Sequence, residues 1–173
     1  MATKRSDDMK KENNLEIERK FLLKNIPNFK ESVKKIIIHQ IYVDVDGKIN
    51  RYRMSEDVDS SIVNPNRVYH VCNKKSLSPG VFEEIESEIS KDVFDSMLKK
   101  EHRSILKTRH VYEHGGLKWE IDVYHDMKLV MLEVELEDIN QPITIPEVIE
   151  EQMIVEVTGQ RVFSNYNLST ESK

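Results

Sequence analysis

Carboxylates and cations recur in this chain as pairs spaced one residue apart. Glu16-Ile17-Glu18 is followed at once by Lys20. Arg51-Tyr52-Arg53, Glu84-Ile85-Glu86, Lys107-Thr108-Arg109, Glu120-Ile121-Asp122 and Glu133-Val134-Glu135 repeat the spacing. In an extended strand successive side chains point to opposite faces, so both members of each pair share a face. Paired carboxylates suit hard cations such as Mg²⁺ or Mn²⁺, which take oxygen ligands and bridge to phosphates. Paired lysines and arginines suit phosphate oxygens, arginine through its planar fork. Together the two sets describe phosphoryl-transfer chemistry, where charge neutralisation and positioning supply most of the catalysis. No Walker-type glycine loop is present, so side chains rather than backbone N–H groups would hold the phosphates. One charged strand face is ordinary; both signs in pairs on almost every strand are not.

The elements that must carry these pairs follow from period and turn chemistry. Leu15 to Phe21 alternates as a strand, with Glu16, Glu18 and Lys20 on one face. Asn25-Ile26-Pro27-Asn28 is a turn, and Phe29 to Lys35 is predicted as a short helix. Ile36 to Val45 and Lys48 to Met54 form a hairpin about Asp46-Gly47. Ser55 to Asn66 reads as a loop, Arg67 to Lys74 as a strand and Ser76 to Gly80 as a turn. Val81 to Ile89 is read as a strand because its charge alternation continues, although glutamate favours helix. Ser90 to Lys100 is the clearest helix, with Val93, Phe94, Met97 and Leu98 as its apolar stripe. Ser104 to Glu113 and Leu117 to Tyr124 flank a turn at His114-Gly115-Gly116, and Lys128 to Glu137 is a further strand. A loop over Asp138 to Pro146, a short helix over Glu147 to Gln152, and an apolar run from Ile154 to Thr158 complete the body. Arg161 to Leu168 is the last ordered piece. The expected division is a mobile tail over 1–13, one domain over 14–168 and a tail over 169–173.

Composition bounds the class. The chain has 173 residues, enough for one domain with a real core. Its net charge of -5 argues against a general nucleic-acid surface. The single cysteine, Cys72, excludes an internal disulfide and fits a reducing compartment. The sequence carries neither a run long enough for a membrane helix nor a signal-peptide core, so a cytoplasmic protein is expected. The six histidines lack zinc-type spacing. Cys72 reads as a packed small residue, and Trp119 and Phe94 as core.

About eight short strands joined by hairpins argue for an antiparallel barrel with a few short flanking helices, an α+β chain dominated by β. One arrangement puts the charged faces inside a wet lumen and the apolar faces under the helices. The interior would then hold eight carboxylates beside Lys20, Arg51, Arg53, Lys74, Lys107 and Arg109. Each unpaired ion there would cost several kcal/mol, so a ligand of mixed charge should complete it.

The order of these motifs resembles the CYTH superfamily, the triphosphate tunnel metalloenzymes. Glu16-Ile17-Glu18-Arg19-Lys20 resembles its ExExK signature, Gln40-Ile41-Tyr42 its Q-x-Y and Arg51-Tyr52-Arg53 its R-x-R. Lys74, Glu84-x-Glu86, Arg103 with Lys107-Thr108-Arg109, Glu120-Ile121-Asp122, Glu133-Val134-Glu135, Val157-Thr158-Gly159 and Asn165-x-x-Leu168 continue in order. The likeness spans Leu15 to Leu168. It implies an eight-stranded closed tunnel that binds a small-molecule triphosphate with Mg²⁺ or Mn²⁺. Glu16, Glu18, Glu133 and Glu135 would be metal ligands. Glu84 and Glu86 or Asp122 would hold a second metal or orient the attacking water. Lys20, Arg51, Arg53, Lys74, Lys107 and Arg109 would grip phosphates. Members hydrolyse tripolyphosphate, thiamine triphosphate or RNA 5′-triphosphate ends, or cyclise ATP as class IV adenylyl cyclases, and many are homodimers. Three departures stand out: Phe82 replaces a frequent arginine, Lys74 and Lys75 are adjacent with Lys74 in phase, and Arg161 stands where lysine is common. The expectation is a metal-dependent triphosphatase; a cyclase and a non-catalytic triphosphate binder are the alternatives.

Overall fold

A computed structural model describes residues 14–58 and 66–172. The region expected to be an N-terminal tail, 1–13, lies outside the described residues, as does most of the loop expected over Ser55 to Asn66. The strands are β1 (Leu15–Leu23), β2 (Lys34–Val45), β3 (Lys48–Asp57), β4 (Arg67–Ser78), β5 (Val81–Glu88), β6 (Arg103–His114), β7 (Leu117–Tyr124) and β8 (Val130–Glu135). Each pairs antiparallel with two neighbours in the order β6-β2-β3-β4-β5-β1-β8-β7, and β7 returns to β6. The eight strands therefore close on themselves, and closure removes the edges of the main sheet. Short strands β9 (Met153–Glu156) and β10 (Thr170–Glu171) add to β1 and β6.

Local chemistry sets the corners. Asp46 and Gly47 both have positive φ, 54° and 81°, which is the twist that a two-residue hairpin requires. The Asp44 carboxylate accepts from the Gly47 N–H at 2.7 Å. The second corner is tighter than expected: β4 runs to Ser78 through a bulge, and only Pro79 and Gly80 turn. Gly80 has φ +75°, and a Cβ there would meet the Glu18 carbonyl oxygen at 2.7 Å. That close approach lets the Glu18 N–H donate to the Gly80 carbonyl at 2.8 Å, fixing β1 against the hairpin.

The outer apolar faces are covered, as the alternation requires. Phe21, Trp119, Ile121, Leu132 and Val134 lie under Ile143, Ile145, Val148 and Ile149, from the irregular segment and α2 (Glu147–Glu150). Ile41, Val43 and Tyr52 lie under Phe94 of α1 (Lys91–Leu98). Ser90 caps that helix, its hydroxyl accepting from the Val93 N–H at 3.3 Å. A third cluster of Ile105, Tyr124 and Met131 packs against Phe163 and against Leu168 of α3 (Asn165–Leu168).

Three expectations are corrected. Residues 29–35 do not form a helix: Phe29 packs on the Tyr112 ring, centroids 4.8 Å apart, and Lys34 already pairs with Val111. So short a stretch cannot offset the cost of nucleating a helix when a strand partner is available. Residues 55–57 continue β3 because β2 extends opposite them. Thr170 and Glu171, expected in a tail, pair with Ser104 and Arg103. No helix among the described residues is long and apolar enough to cross a membrane.

Candidate functional site

The charged faces point inward. A cavity of about 480 Å³ lies within the barrel, and every residue assigned to the site from the sequence lines it except Glu86 and Asp122. Lys74 is on this wall, while Lys75 lies opposite Glu83 on the other face. Register makes the contacts. Lys20 lies across from Glu133, Lys74 from Glu84, and Arg109 from Asp122.

Three linked groups result. In the first, the Lys74 ammonium bonds Glu16 and sits 3.6 Å from Glu18 Oε1 and 3.7 Å from Glu84 Oε2. Lys20 extends the group, 2.9 Å from Glu133 Oε1 and 3.6 Å from Glu18 Oε1. In the second, Arg51 Nη2 reaches Glu84 Oε1 and Glu86 Oε2, both at 3.2 Å, and Arg53 Nη2 donates to Glu86 Oε1 at 2.8 Å. Glu86 thus stands on the exposed side, outside the cavity lining, holding both arginines. In the third, Asp122 is completely buried. It accepts from Lys107 Nζ at 2.5 Å and from Arg109 Nε and Nη2, each at 2.7 Å. Arg109 goes on to Glu133 Oε2 at 2.7 Å and to Glu120. These pairs meet the desolvation cost that the sequence raised, since a buried ion persists only with partners.

The charges are not balanced. Eight carboxylates and six cations face or brace this lumen. Glu18 lies directly opposite Glu135, and Glu120 opposite Glu133, like charges that destabilise a sheet unless something positive separates them. Burial pushes the Glu16 carboxyl up to about 7; Lys74 opposes this, and Glu18 and Glu84 add to it. Burial works the same way on Glu133, but Lys20, Lys107 and Arg109 outweigh it and hold the group well below the carboxylate range. Burial also opposes ionisation of Glu84, and there Arg51 and Lys74 prevail and lower it. Among the described residues the buried Glu84 Oε2 has no hydrogen-bond partner.

Those observations test whether a divalent cation suits the site. Glu16, Glu18 and Glu84 are oxygen donors around a point already occupied by an ammonium, with one orphaned oxygen and one carboxyl short of positive charge. A hard cation fits that set. Glu133 is committed to three cations, and Glu135 is on the exposed wall. A different trio, Cys72 with Glu84 and Glu86, brings its ligand atoms within 4.8 Å of one another. Burial pushes the Cys72 thiol up to about 12, and a sulfur ligand suits soft metals rather than a hard cation such as Mg²⁺.

The sequence reading left some lumen residues without a role. Ile38, Ile49, Phe82, Ser164, Asn165 and Tyr166 all line the cavity. Phe82 lies under the Lys74 ammonium, 4.1 Å from ring centroid to Nζ. Asn165 and Tyr166 come from beyond the last barrel strand, and their period gives no hint of direction. Tyr42 is buried in the lumen, edge-on to Tyr166 with centroids 5.3 Å apart.

No family model and no curated protein matches the chain. Among solved structures it is similar to the inorganic triphosphatase NE1496, with a TM-score of 0.56 and 23% identity over 89% of this chain and 93% of that one. A second structure of that protein, described as the hypothetical protein NE1496, gives 0.56 and 24% over 89% and 97%. The likeness shows the fold: this chain has the closed eight-stranded antiparallel tunnel that its motifs led one to expect.

Proposed function

We propose that this protein is a divalent-metal-dependent triphosphatase acting on tripolyphosphate or a closely related triphosphate within the tunnel. The observation that carries the reading is the lumen itself: paired cations and a surplus of carboxylates converging on one cavity. A polyanion alone would meet too many carboxylates there, and a cation alone too many ammonium and guanidinium groups. A polyanion and a hard cation together satisfy both sets. The similarity to a protein described as an inorganic triphosphatase supports the same reading.

The residues divide the task. Lys20, Lys74, Arg51, Arg53, Lys107 and Arg109 would bind the phosphate oxygens, the arginines by paired donation. Glu16 and Glu18 would hold Mg²⁺ or Mn²⁺, with Glu84 in the arrangement seen here and with Glu133 and Glu135 once phosphate draws the cations off Glu133; the metal would neutralise charge on the phosphate oxygens. Phosphate oxygens arriving at Lys20 and Lys74 would take those cations from Glu16, Glu18 and Glu133, freeing the carboxylates as the polyanion docks. Glu84 and Glu86 lie beside Arg51 and Arg53, where a carboxylate oxygen can accept a proton from the attacking water. Asp122 does not reach the cavity; it anchors Lys107 and Arg109 from behind.

The test is product analysis. The purified protein with Mg²⁺ or Mn²⁺ should release orthophosphate and pyrophosphate from tripolyphosphate. Cyclic AMP and pyrophosphate from ATP, without tripolyphosphate turnover, would replace this reading with a cyclase. Binding of triphosphate without turnover of any would make the protein a sequestering one.

A further inference from the structure

The C-terminal segment enters the site from outside the barrel, and one arginine ties it down. Arg103 opens β6. Its Nε donates to Ser169 Oγ at 3.1 Å, its Nη2 to the Ser169 carbonyl, and its Nη1 to Glu171 Oε1 at 3.3 Å. Ser169 is buried, and its hydroxyl and backbone carry those bonds. The same guanidinium stands over the Tyr166 ring, 5.5 Å from its centroid. β10 runs beside it, Glu171 opposite Arg103, and the Ser172 N–H donates to the His102 carbonyl at 2.8 Å. Among the described residues the side chain of this arginine contacts only the segment 166–171 and none of the eight carboxylates that face or brace the lumen. In that it differs from the six cations assigned to phosphate.

What the segment does is equally specific. Tyr166 meets Tyr42 edge to face, and Asn165 Oδ1 accepts from Tyr124 Oη at 2.7 Å and lies 3.5 Å from Lys107 Nζ. Ser164 and Tyr166 line the lumen, and they also line a second cavity of about 550 Å³. That second cavity shares Glu18, Lys20 and Phe82 with the lumen; the rest of its wall is largely apolar surface that also carries Ser78, Gln160 and Arg161. The Ser164–Tyr166 stretch is therefore a partition between two adjoining spaces, with Lys20 accessible from both.

We propose that Arg103 is a positioning residue that latches this partition, and that the latched partition sets how long a phosphate chain the lumen accepts. The length selectivity rests on the triphosphatase reading; the latch does not. With the latch closed, the lumen ends at Tyr166 and Asn165. With it released, the two cavities join, and a chain longer by one phosphate can extend past Lys20 toward Arg161.

Two measurements decide it. Hydrogen exchange on the ligand-free protein reads the latch alone. Arg103→Gln should speed exchange at the amides of Phe163, Ser164, Leu168, Ser169 and Ser172 at least tenfold, with β7 and β8 unchanged. Arg103→Lys, which keeps the charge but loses the fork, should fall between Arg103→Gln and wild type. Unchanged protection in Arg103→Gln, or exchange that rises equally throughout the barrel in both variants, overturns the latch. The second measurement is kcat/KM for tripolyphosphate against tetrapolyphosphate. Arg103→Gln and Tyr166→Ala should each move the ratio at least fivefold toward the longer chain. An unchanged ratio, or an equal loss of kcat on both substrates, overturns the selectivity. If wild type hydrolyses neither, the triphosphatase reading fails, and the exchange result still decides the latch.

Discussion

Replacing Asp122 with asparagine separates a buried anchor from a group that meets the substrate. Asp122 is wholly buried, and Lys107 is 1% exposed. The carboxylate accepts three charge-assisted bonds, one from Lys107 and two from Arg109. In Asp122→Asn, Arg109 keeps Glu120 and Glu133, but Lys107 keeps only Asn165 at 3.5 Å. Removing one partner of a buried pair costs about 3–5 kcal/mol, because the other charge stays buried. The retained amide oxygen and Arg109's other partners put this case near the lower end, about 3 kcal/mol. At roughly 3 °C per kcal/mol for a chain of this size, the melting temperature should fall by roughly 10 °C. The loss should also depend on pH. Burial already lowers the Lys107 ammonium from its usual value, against the pull of Asp122, and Arg109 adds to the lowering. Without the carboxylate its folded-state value falls further below the unfolded one. The unfolded chain then binds more protons, so the variant regains stability as pH rises toward the ordinary lysine range. Urea unfolding of both proteins at several pH values measures this. A loss under about 1 kcal/mol, the same at every pH, would refute the anchoring argument and return Asp122 to the list of groups that meet the substrate.

Other consequences are as specific. Glu16→Ala and Glu133→Ala should each abolish metal-dependent turnover while leaving the far-ultraviolet circular dichroism unchanged; retained turnover in both would remove these residues from the site. Glu16 in the metal-free protein titrates near 7 instead of near its usual 4.5, so the folded state binds the extra proton and stability declines as pH rises between those values. Glu16→Gln should flatten that decline, which unfolding curves at pH 5 and pH 8 will show. Phe94 is the buried residue of α1 against Ile41, Val43 and Tyr52, and Phe94→Ala should cost about 3–5 kcal/mol in denaturant unfolding without changing turnover chemistry.

The sequence showed the walls of the tunnel because a strand has period two, and a charge pair spaced by one residue must share a face. Glu16 with Glu18 and Lys107 with Arg109 needed only that rule, and so did the choice of Lys74 over Lys75. It did not show which carboxylate meets which cation. That depends on register, as when Glu133 lies beside Lys20 and not beside Glu135's partner Glu18. Nor did it separate Glu86 and Asp122 from the carboxylates that face the cavity, since alternation gives the face but not the depth: Asp122 is fully buried and Glu86 is exposed. Tyr166 escaped, and Asn165 was noted only as part of a closing motif, because a four-residue helix carries too little period to reveal a face. The predicted helix at 29–35 failed because β2 found a partner for Lys34 that local propensity cannot register.

The central claim is that a lumen of internally paired charges takes a polyanion and a hard divalent cation together. Calorimetric titration of tripolyphosphate into the metal-free protein, and again with saturating Mn²⁺, tests it directly. The account expects affinity at least tenfold higher with the cation, equivalent to about 1.4 kcal/mol of coupling. Equal affinity in both titrations would contradict it.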